Sequence, residues 1–167
     1  MTLDIRPALP TDLADLHAVI QCAYRGDAAR RGWTHEADLL DGERIPAADL
    51  ATILATPSTR LLVATDNDRP IGCVQITDRG DGLAYLGLLC IDPALQAAGL
   101  GRRLIAAAEA TAATDFAAKT MEMTVIDRRT ELVAYYERRG YVLTGERRPF
   151  PIPTKPLAMV VLAKEIA

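Results

Sequence analysis

The sequence predicts a single domain of the α/β (α+β) class that spans residues 1–167. Apolar runs of strand length alternate along the chain with stretches whose apolar residues recur at helical spacing. Half of the residues are apolar and a quarter are charged, which is typical of a globular domain with a sizeable core. We find no internal repeat, linker or low-complexity tract that would divide the chain.

The N-terminal half is predicted to form a short strand, two helices and a β-hairpin. Alternation ended by Pro7 predicts the strand, because proline cannot continue a sheet ladder. Thr11 or Asp12 can cap the first helix, and turn-forming residues between two apolar runs predict the hairpin. These elements are predicted at residues 3–6, 13–23, 47–54 and 60–76.

The C-terminal half is predicted to alternate strands and helices. An apolar strand stops at Pro93, and a loop with two glycines leads into an Ala-rich helix that ends near Ala113. Gly140 is a typical signal for the end of the next helix, and a Pro-rich loop separates the last two strands. The strands are predicted at 83–91, 121–126, 141–143 and 157–162, and the second helix at 130–139.

Composition and charge disfavour several classes of protein. The net charge of −3 gives no support for a nucleic-acid binder, and no apolar run is long enough to span a membrane. The N-terminus lacks the pattern of a secretory signal, so we expect a cytoplasmic protein. The cysteines Cys22, Cys73 and Cys90 are odd in number and far apart, so they are predicted to be reduced, with Cys73 and Cys90 in the core. The sequence has no His/Cys cluster at ligand spacing, so we expect no metal.

A glycine-containing loop lies between the predicted strand 83–91 and the helix behind it. The first N–H groups of such a helix lack backbone partners and coincide with the positive end of its dipole. The loop therefore predicts a phosphate or pyrophosphate site, beside which Arg102 adds positive charge. It lacks the Lys-Ser/Thr of a Walker loop and the third glycine of a dinucleotide fingerprint. Its residues are Gln96, Ala97, Ala98, Gly99, Leu100 and Gly101.

This Gln-x-x-Gly-x-Gly pattern after a buried strand resembles the acetyl-CoA pyrophosphate loop of the GCN5-related N-acetyltransferase (GNAT) superfamily. A second run, at 130–141, resembles the family's helix that ends in Tyr-Glu-x-x-Gly-Phe/Tyr. The order of elements matches the family over nearly the full chain. The resemblance implies a mixed, mostly antiparallel sheet of about six or seven strands flanked by about four helices.

The resemblance also implies how acetyl-CoA would be held. Backbone groups of Leu89, Cys90 and Ile91 would pair with the pantetheine arm, and an N–H there would stabilise the oxyanion. Residues 96–101 with Arg102 would hold the pyrophosphate.

Tyr136 matches the family's tyrosine that faces the CoA sulfur, where a phenol can protonate the departing thiolate. Its neighbour Tyr135 is expected to be packed or to face solvent. Where the family often has asparagine, the chain has Arg129, so the usual pantetheine contact is in doubt. Arg129 can instead meet a CoA phosphate.

The sequence leaves the general base open. Some family members place a glutamate at the position of Tyr85, so that role does not transfer to this chain. Glu122 on the neighbouring strand is the best carboxylate candidate. An ordered chain of water molecules is equally consistent, and so is a solvent-facing Glu122 without any role.

Residues 24–44 are predicted to form the acceptor side, together with Tyr85 and with the 145–153 loop as a further candidate. Periodicity is poor there, and so long a loop in a compact domain is usually functional or mobile. Aromatic faces suit a cation, and charges of both signs suit an amino-acid-like or peptide acceptor. A solvated charged surface is the competing interpretation. The candidates are Tyr24, Trp33, Glu36 and Arg44.

Two functions remain in competition. The first is an N-acetyltransferase that moves an acetyl group from acetyl-CoA to a primary amine by direct attack in a ternary complex. No cysteine occupies an evident nucleophile position, which argues against an acetyl-enzyme. The second is a non-catalytic acyl-CoA-binding sensor or regulatory module. Tyr136 favours the enzyme, since a binding module needs no acid for a thiolate. The expected partners are acetyl-CoA and an amine. The sequence leaves open whether two chains form a homodimer.

Overall fold

The computed structural model describes residues 2–24, 45–95, 99–150 and 156–166. Within these ranges it contains seven strands and four α-helices. In chain order they are β1 (Leu3–Pro7), α1 (Leu13–Tyr24), α2 (Ala47–Ala55), β2 (Thr59–Asp66), β3 (Arg69–Gly80), β4 (Leu83–Ile91), α3 (Leu100–Phe116), β5 (Thr120–Ile126), α4 (Thr130–Arg138), β6 (Val142–Pro149) and β7 (Ala158–Glu165).

The strands form one mixed sheet in the order β1-β2-β3-β4-β5-β7-β6. Every neighbouring pair is antiparallel except β4 and β5, which are parallel. This parallel pairing is short, because only Leu83–Tyr85 of β4 pairs with Thr120–Glu122 of β5. Beyond it the two strands separate and leave a gap in the middle of the sheet. The predicted fold class is confirmed.

The sheet buries apolar residues on both faces. On one face α3 and α4 pack over β3, β4 and β5 through a core that includes Leu104, Ile105 and Met121. On the other face α1 and α2 pack over β2, β3 and β4 through Leu16 and Leu50. Glu122 lies between two methionines of the first core, so strand alternation directs it to the α1/α2 face.

The predicted core position of two cysteines is confirmed. Cys73 and Cys90 are free, buried neighbours on β3 and β4, with their Sγ atoms 3.6 Å apart, and Cys22 is partly buried. Among the described residues, no helix has both the length and the apolar character needed to cross a bilayer.

The last hairpin differs from the prediction. We expected a strand at 141–143 and a loop at 145–153, but β6 continues to Pro149 and Tyr141 is buried before it begins. β6 is an edge strand whose side chains are mostly exposed, so it carries no apolar alternation that the sequence could show. Its pairing with β7 shifts register between Leu143 and Arg147.

The start of α1 is joined to β1 by an ion pair. The Asp12 carboxylate accepts hydrogen bonds from the Leu9 N–H at 2.7 Å and from two nitrogens of Arg6 at 2.8 and 3.1 Å. The predicted caps were Thr11 or Asp12, and Asp12 acts here on the turn before the helix. The hydrogen bond from Arg6 is the main reason that the pKa of Asp12 is lowered.

Asp12→Asn should therefore lower the free energy of unfolding at pH 7 by about 2 kcal/mol, the usual contribution of a hydrogen bond to a charged group. The folded pKa lies below the unfolded value of 3.8, so this stability is present above that pH and is lost as the pH falls through the folded pKa. Urea unfolding at pH 7 and pH 3 measures it. The exposed Asp15→Asn is the control, and an equal effect of both variants at pH 7 would contradict the assignment.

Candidate active site

The gap between β4 and β5 holds a cavity of about 130 Å³. Backbone and side chains of both strands form its walls, and α4 closes one side. Its lining residues are Tyr85, Leu86, Gly87, Leu88, Leu89, Met123, Thr124, Val125, Ile126, Arg129, Leu132, Tyr136 and Met159. We call this cavity the crevice. It is smaller than the 300–1,000 Å³ usual for a ligand pocket, so it suits a narrow, extended chain.

A bulge shapes the β4 wall of the crevice. Cys73 of β3 lies opposite Cys90, whereas Gln75 lies opposite Gly87, so β4 holds one extra residue in this interval. Leu88 has a left-handed φ of +52° and packs on the α1/α2 face, out of phase with Leu86. The bulge therefore changes which faces and backbone groups β4 presents beside the gap.

Only one of the three residues predicted to contact pantetheine lines the crevice. Leu89 lines the crevice. Cys90 and Ile91 pair with β3 through Cys73 and Gly72 and are not among the lining residues. Their predicted roles rest on backbone groups alone and stay predictions.

Tyr136 lies on α4 at the wall of the crevice and is 6% exposed. The rings of Tyr135 and Tyr141 pack edge-on against it at centroid distances of 5.5 and 6.1 Å. In the described parts of the chain its hydroxyl has no hydrogen-bond partner. Burial is the main cause that raises the pKa of Tyr136, so the hydroxyl stays protonated at neutral pH and can donate.

Arg129 immediately precedes α4 and is buried at the crevice wall. Its Nε donates to Glu131 Oε1 at 2.7 Å. Its charge acts on Tyr136 against the effect of burial, lowering the pKa of the phenol. The predicted contact of Arg129 with a CoA phosphate stays a prediction.

The glycine loop is described from Gly99 onward, and Gln96, Ala97 and Ala98 lie outside the described residues. Gly99 has a φ of +80° and precedes the first residue of α3, which is Leu100. This left-handed conformation favours glycine. Arg102 is exposed on the first turn of α3, with one guanidinium nitrogen 3.6 Å from the position of a Cβ on Gly99.

The loop and the tyrosine helix meet at Gly101. A Cβ added there would lie 2.6 Å from the Tyr135 hydroxyl, so only glycine leaves room for this approach. Tyr135 packs against the core, as expected from the sequence. Its contact with Gly101, which was not predicted, brings the two sequence motifs together.

Gly101→Ala should consequently displace Tyr135 and destabilise the contact between α3 and α4. The cost of such overpacking is typically about 1–3 kcal/mol, and it is reduced by the higher helix propensity of alanine and by movement of the end of the Tyr135 side chain. Tyr135→Phe in the same chain removes the obstructing oxygen and should recover part of the loss, measured as the free energy of unfolding by urea. Additive effects of the two substitutions would contradict the contact.

A wider groove of about 550 Å³ adjoins the crevice and shares Tyr85, Thr124 and Met159 with it. The full lining is Arg79, Leu83, Tyr85, Glu122, Thr124, Arg148, Pro149 and Met159. The Tyr85 hydroxyl and Thr124 Oγ1 are 2.5 Å apart and form a hydrogen bond at the boundary. We call this cavity the acceptor groove.

Glu122 lies in the acceptor groove at the last paired position of β5, opposite Tyr85. Both of its carboxylate oxygens accept from Nη2 of Arg148 at 3.2 Å. Arg148 Nε also donates to Glu146 at 2.6 Å, and this hydrogen bond is the main reason that the pKa of Arg148 is raised. Glu122 is thus a buried carboxylate beside the crevice. This position is consistent with a general base, and that role stays a prediction.

Two arginines of the groove were not predicted as site residues from the sequence. Arg79 lies near the end of β3 with its guanidinium carbon 4.7 Å from the centroid of the Tyr85 ring. Arg148 reaches the groove from the edge strand β6. Nothing in the local sequence marks either residue, because sheet register alone brings them together.

The other predicted acceptor residues are not located. Trp33, Glu36 and Arg44 lie outside the described residues, as does the side chain of Tyr24, the last residue of α1. In the described ranges no group of His, Cys, Asp and Glu side chains could hold a metal ion.

Comparison with known proteins decides the family. The family model of the acetyltransferase (GNAT) domain matches residues 35–150, which is more than half of the chain. The chain belongs to the GNAT acetyltransferase family. A comparison with curated protein sequences gives no match.

Solved structures share the fold of this GNAT protein. An acetyltransferase of the GNAT family from Streptococcus pneumoniae is 24% identical, with a TM-score of 0.74 over 99% of this chain and 100% of that one. The ribosomal-protein-S18-alanine N-acetyltransferase from Escherichia coli is 17% identical, with a TM-score of 0.75 over 99% and 95%. The yncA protein of Salmonella typhimurium, solved with its cofactor acetyl-CoA, is 15% identical, with a TM-score of 0.76 over 100% and 95%.

Proposed function

We propose that this GNAT protein transfers an acetyl group from acetyl-CoA to a primary amine by direct attack in a ternary complex. One observation carries the proposal. The crevice, with the buried Tyr136 hydroxyl at its wall, adjoins a groove that holds the carboxylate of Glu122. A proton donor and a proton acceptor therefore flank the place where β4 and β5 separate.

The crevice suits the pantetheine arm of acetyl-CoA. Among the described residues, β4 has no strand partner on its β5 side beyond Tyr85, so an extended amide chain can lie there as an added strand. The N-terminus of α3, opened by Gly99, supplies N–H groups and a positive dipole end for the pyrophosphate. Arg102 and Arg129 supply positive charge at the loop and at the crevice wall.

The proposed reaction needs a proton acceptor at one end of the site and a proton donor at the other. The ammonium of the acceptor gives a proton to Glu122, directly or through water, and the free amine attacks the thioester carbonyl carbon. A C–N bond forms, the C–S bond breaks, and Tyr136 gives its hydroxyl proton to the departing sulfur. The nitrogen loses its second proton as the amide forms, and this proton passes through water to the phenolate of Tyr136. Glu122 releases the first proton to solvent. The products are the N-acetyl amide and CoA.

Acetyl-CoA-dependent release of thiol tests the proposal against the sensor alternative. We expect a mixture of amino acids, polyamines, aminoglycosides and peptides to raise thiol release above the acceptor-free rate. A non-catalytic acyl-CoA-binding module would bind acetyl-CoA in calorimetry and release no additional thiol with any of them.

Gly99→Val tests the pyrophosphate loop. The added side chain would stand where the ligand approaches, so we expect acetyl-CoA binding to weaken at least about tenfold in calorimetry. Valine is also strained at the φ of +80° that Gly99 adopts.

Gly82→Val is the matched control, because Gly82 has the same φ of +80° in the turn between β3 and β4. It should cost similar stability and leave acetyl-CoA affinity unchanged. Unchanged affinity in a folded Gly99→Val protein would remove the loop from the cofactor site.

A further inference from the structure

The charges of the acceptor groove are unequal. Its described lining contains two arginines, Arg79 and Arg148, and one carboxylate, Glu122. Glu122 and Glu146 both pair with Arg148, so among the described residues the positive charge left without a carboxylate partner is that of Arg79. An acceptor that carries only an ammonium group would meet Arg79 unfavourably. An acceptor that also carries an anion would balance it.

Arg79 is free to bind such an anion. Its guanidinium stacks on the ring of Tyr85, which fixes the plane of the fork beside the groove. Within the described chain it makes neither a hydrogen bond nor an ion pair. Its N–H donors are therefore available to a ligand, and a guanidinium recognises a planar carboxylate with two parallel hydrogen bonds.

Arg148 already has two carboxylate partners, Glu122 and Glu146. Glu122 accepts from its Nη2 and fixes the guanidinium at the groove, whereas Nε bonds to Glu146, a side chain that is 53% exposed. An exposed ion pair contributes little to stability. A carboxylate that enters the groove can therefore take over the interaction with Arg148 at small cost, while Glu122 stays available for an ammonium group.

We propose that the acceptor groove binds a small amine that carries a free carboxylate beside its amino group, an α-amino acid or a close analogue. This inference rests on the function proposed above and names its acceptor class. The carboxylate pairs with Arg79 and Arg148, and the ammonium faces Glu122, where β4 and β5 separate. A groove of about 550 Å³ has the size usual for a small-molecule ligand. The reaction is the same acetyl transfer, with the same proton balance.

The first experiment compares each of the twenty protein amino acids with its carboxamide, in which only the negative charge is lost. Thiol release from acetyl-CoA is the readout, and spermidine and short amidated peptides are further acceptors. We expect the best amino acid to exceed its amide in kcat/KM roughly 10- to 100-fold, the effect of one lost charge-assisted hydrogen bond. Comparing two ligands on the unaltered protein avoids any question of folding.

The second experiment uses Arg79→Gln, an exposed position where folding is not at risk, and Arg148→Gln. Arg79→Gln should raise the KM for the amino acid and leave the KM for the amide within about twofold. Arg148→Gln, which also removes a partner of Glu122, should raise the KM for the amino acid more than the KM for the amide. Arg69→Gln is the control, since Arg69 is exposed at the other end of the same strand, β3. It should change neither value.

Several outcomes overturn the inference. Equal kcat/KM for acids and amides, a preference for spermidine or peptides, or no response to any amino acid would each do so. Those results leave acetyl transfer to another amine intact. Failure of the proposed function is recognised separately, because no amine, whether amino acid, amide, polyamine or peptide, would then raise thiol release above the acceptor-free rate.

Discussion

Tyr136→Phe should lower kcat and kcat/KM together by about 10²–10⁴-fold, the usual contribution of a positioned proton donor. The hydroxyl acts on a sulfur that carries negative charge only as the C–S bond breaks, so its loss affects the transition state more than the bound substrate. Acetyl-CoA affinity should change little. Steady-state kinetics of thiol release and calorimetry measure the two quantities.

The structure separates this effect from a loss of packing. The ring of Tyr136 contacts Tyr135 and Tyr141, and phenylalanine preserves both contacts. The hydroxyl has no hydrogen-bond partner in the described parts of the chain, so its removal should leave the melting temperature almost unchanged. A buried phenol without a protein partner is costly unless a ligand or water satisfies it.

Tyr141→Phe is the matched control. Tyr141 is equally buried, but its hydroxyl donates to Glu109 Oε2 at 2.8 Å. Losing a hydrogen bond to a carboxylate costs about 1.5–3 kcal/mol, which lowers the melting temperature of a domain of this size by roughly 5 °C. We therefore expect opposite phenotypes: Tyr136→Phe inactive and stable, Tyr141→Phe active and less stable. A Tyr136→Phe protein within about twofold of wild type would leave the thiolate to be protonated by water.

Sequence alone predicted the elements that carry strong local signals. β4 ends where Asp92-Pro93 stops an apolar run, α3 begins after a left-handed glycine, and α4 ends before Gly140. These signals are backbone preferences, so they do not depend on the rest of the chain. The GNAT family followed from the two motifs that these elements frame, and the family match confirms it.

Features that depend on register could not be predicted. The bulge at Leu88 is defined only by the pairing of β4 with β3, and a run of consecutive apolar residues hides the change of face. The end of β6 shows no periodicity, because most of its side chains are exposed. Tyr135 packs against the core, as expected, but its approach to Gly101 could not be predicted, because the two residues meet only after α3 and α4 pack on the same face.

The candidate site was predicted unevenly for the same reason. The motif residues could be predicted from the sequence. Arg79 and Arg148 could not, because only the folded sheet brings β3 and β6 to the same groove. Glu122 was chosen from sequence as the best available carboxylate. The structure adds that it lies at the last paired position of the parallel strands, next to the crevice. Its role as the general base stays a prediction, which the substitution Glu122→Gln tests.

Glu122→Gln should lower kcat/KM at neutral pH by about 10²-fold or more, because the bound ammonium loses its proton acceptor. The defect should depend on pH. As the pH rises toward the pKa of the acceptor amine, the fraction of free amine grows about tenfold per unit, so the rate of the variant should rise in parallel. The wild-type profile should be flatter, since Glu122 supplies the free amine within the site. A pH series of kcat/KM measures this difference.

Glu146→Gln is the matched control for the ion pairs of Arg148. It removes the other carboxylate that holds the same guanidinium, and it should leave the pH profile unchanged. A glutamine at position 122 can still accept a hydrogen bond from Arg148, so Glu122→Gln should remain folded. If Glu122→Gln lost activity equally at every pH, the carboxylate would act by positioning Arg148. If it lost none, a chain of water molecules would carry the proton from the acceptor to solvent.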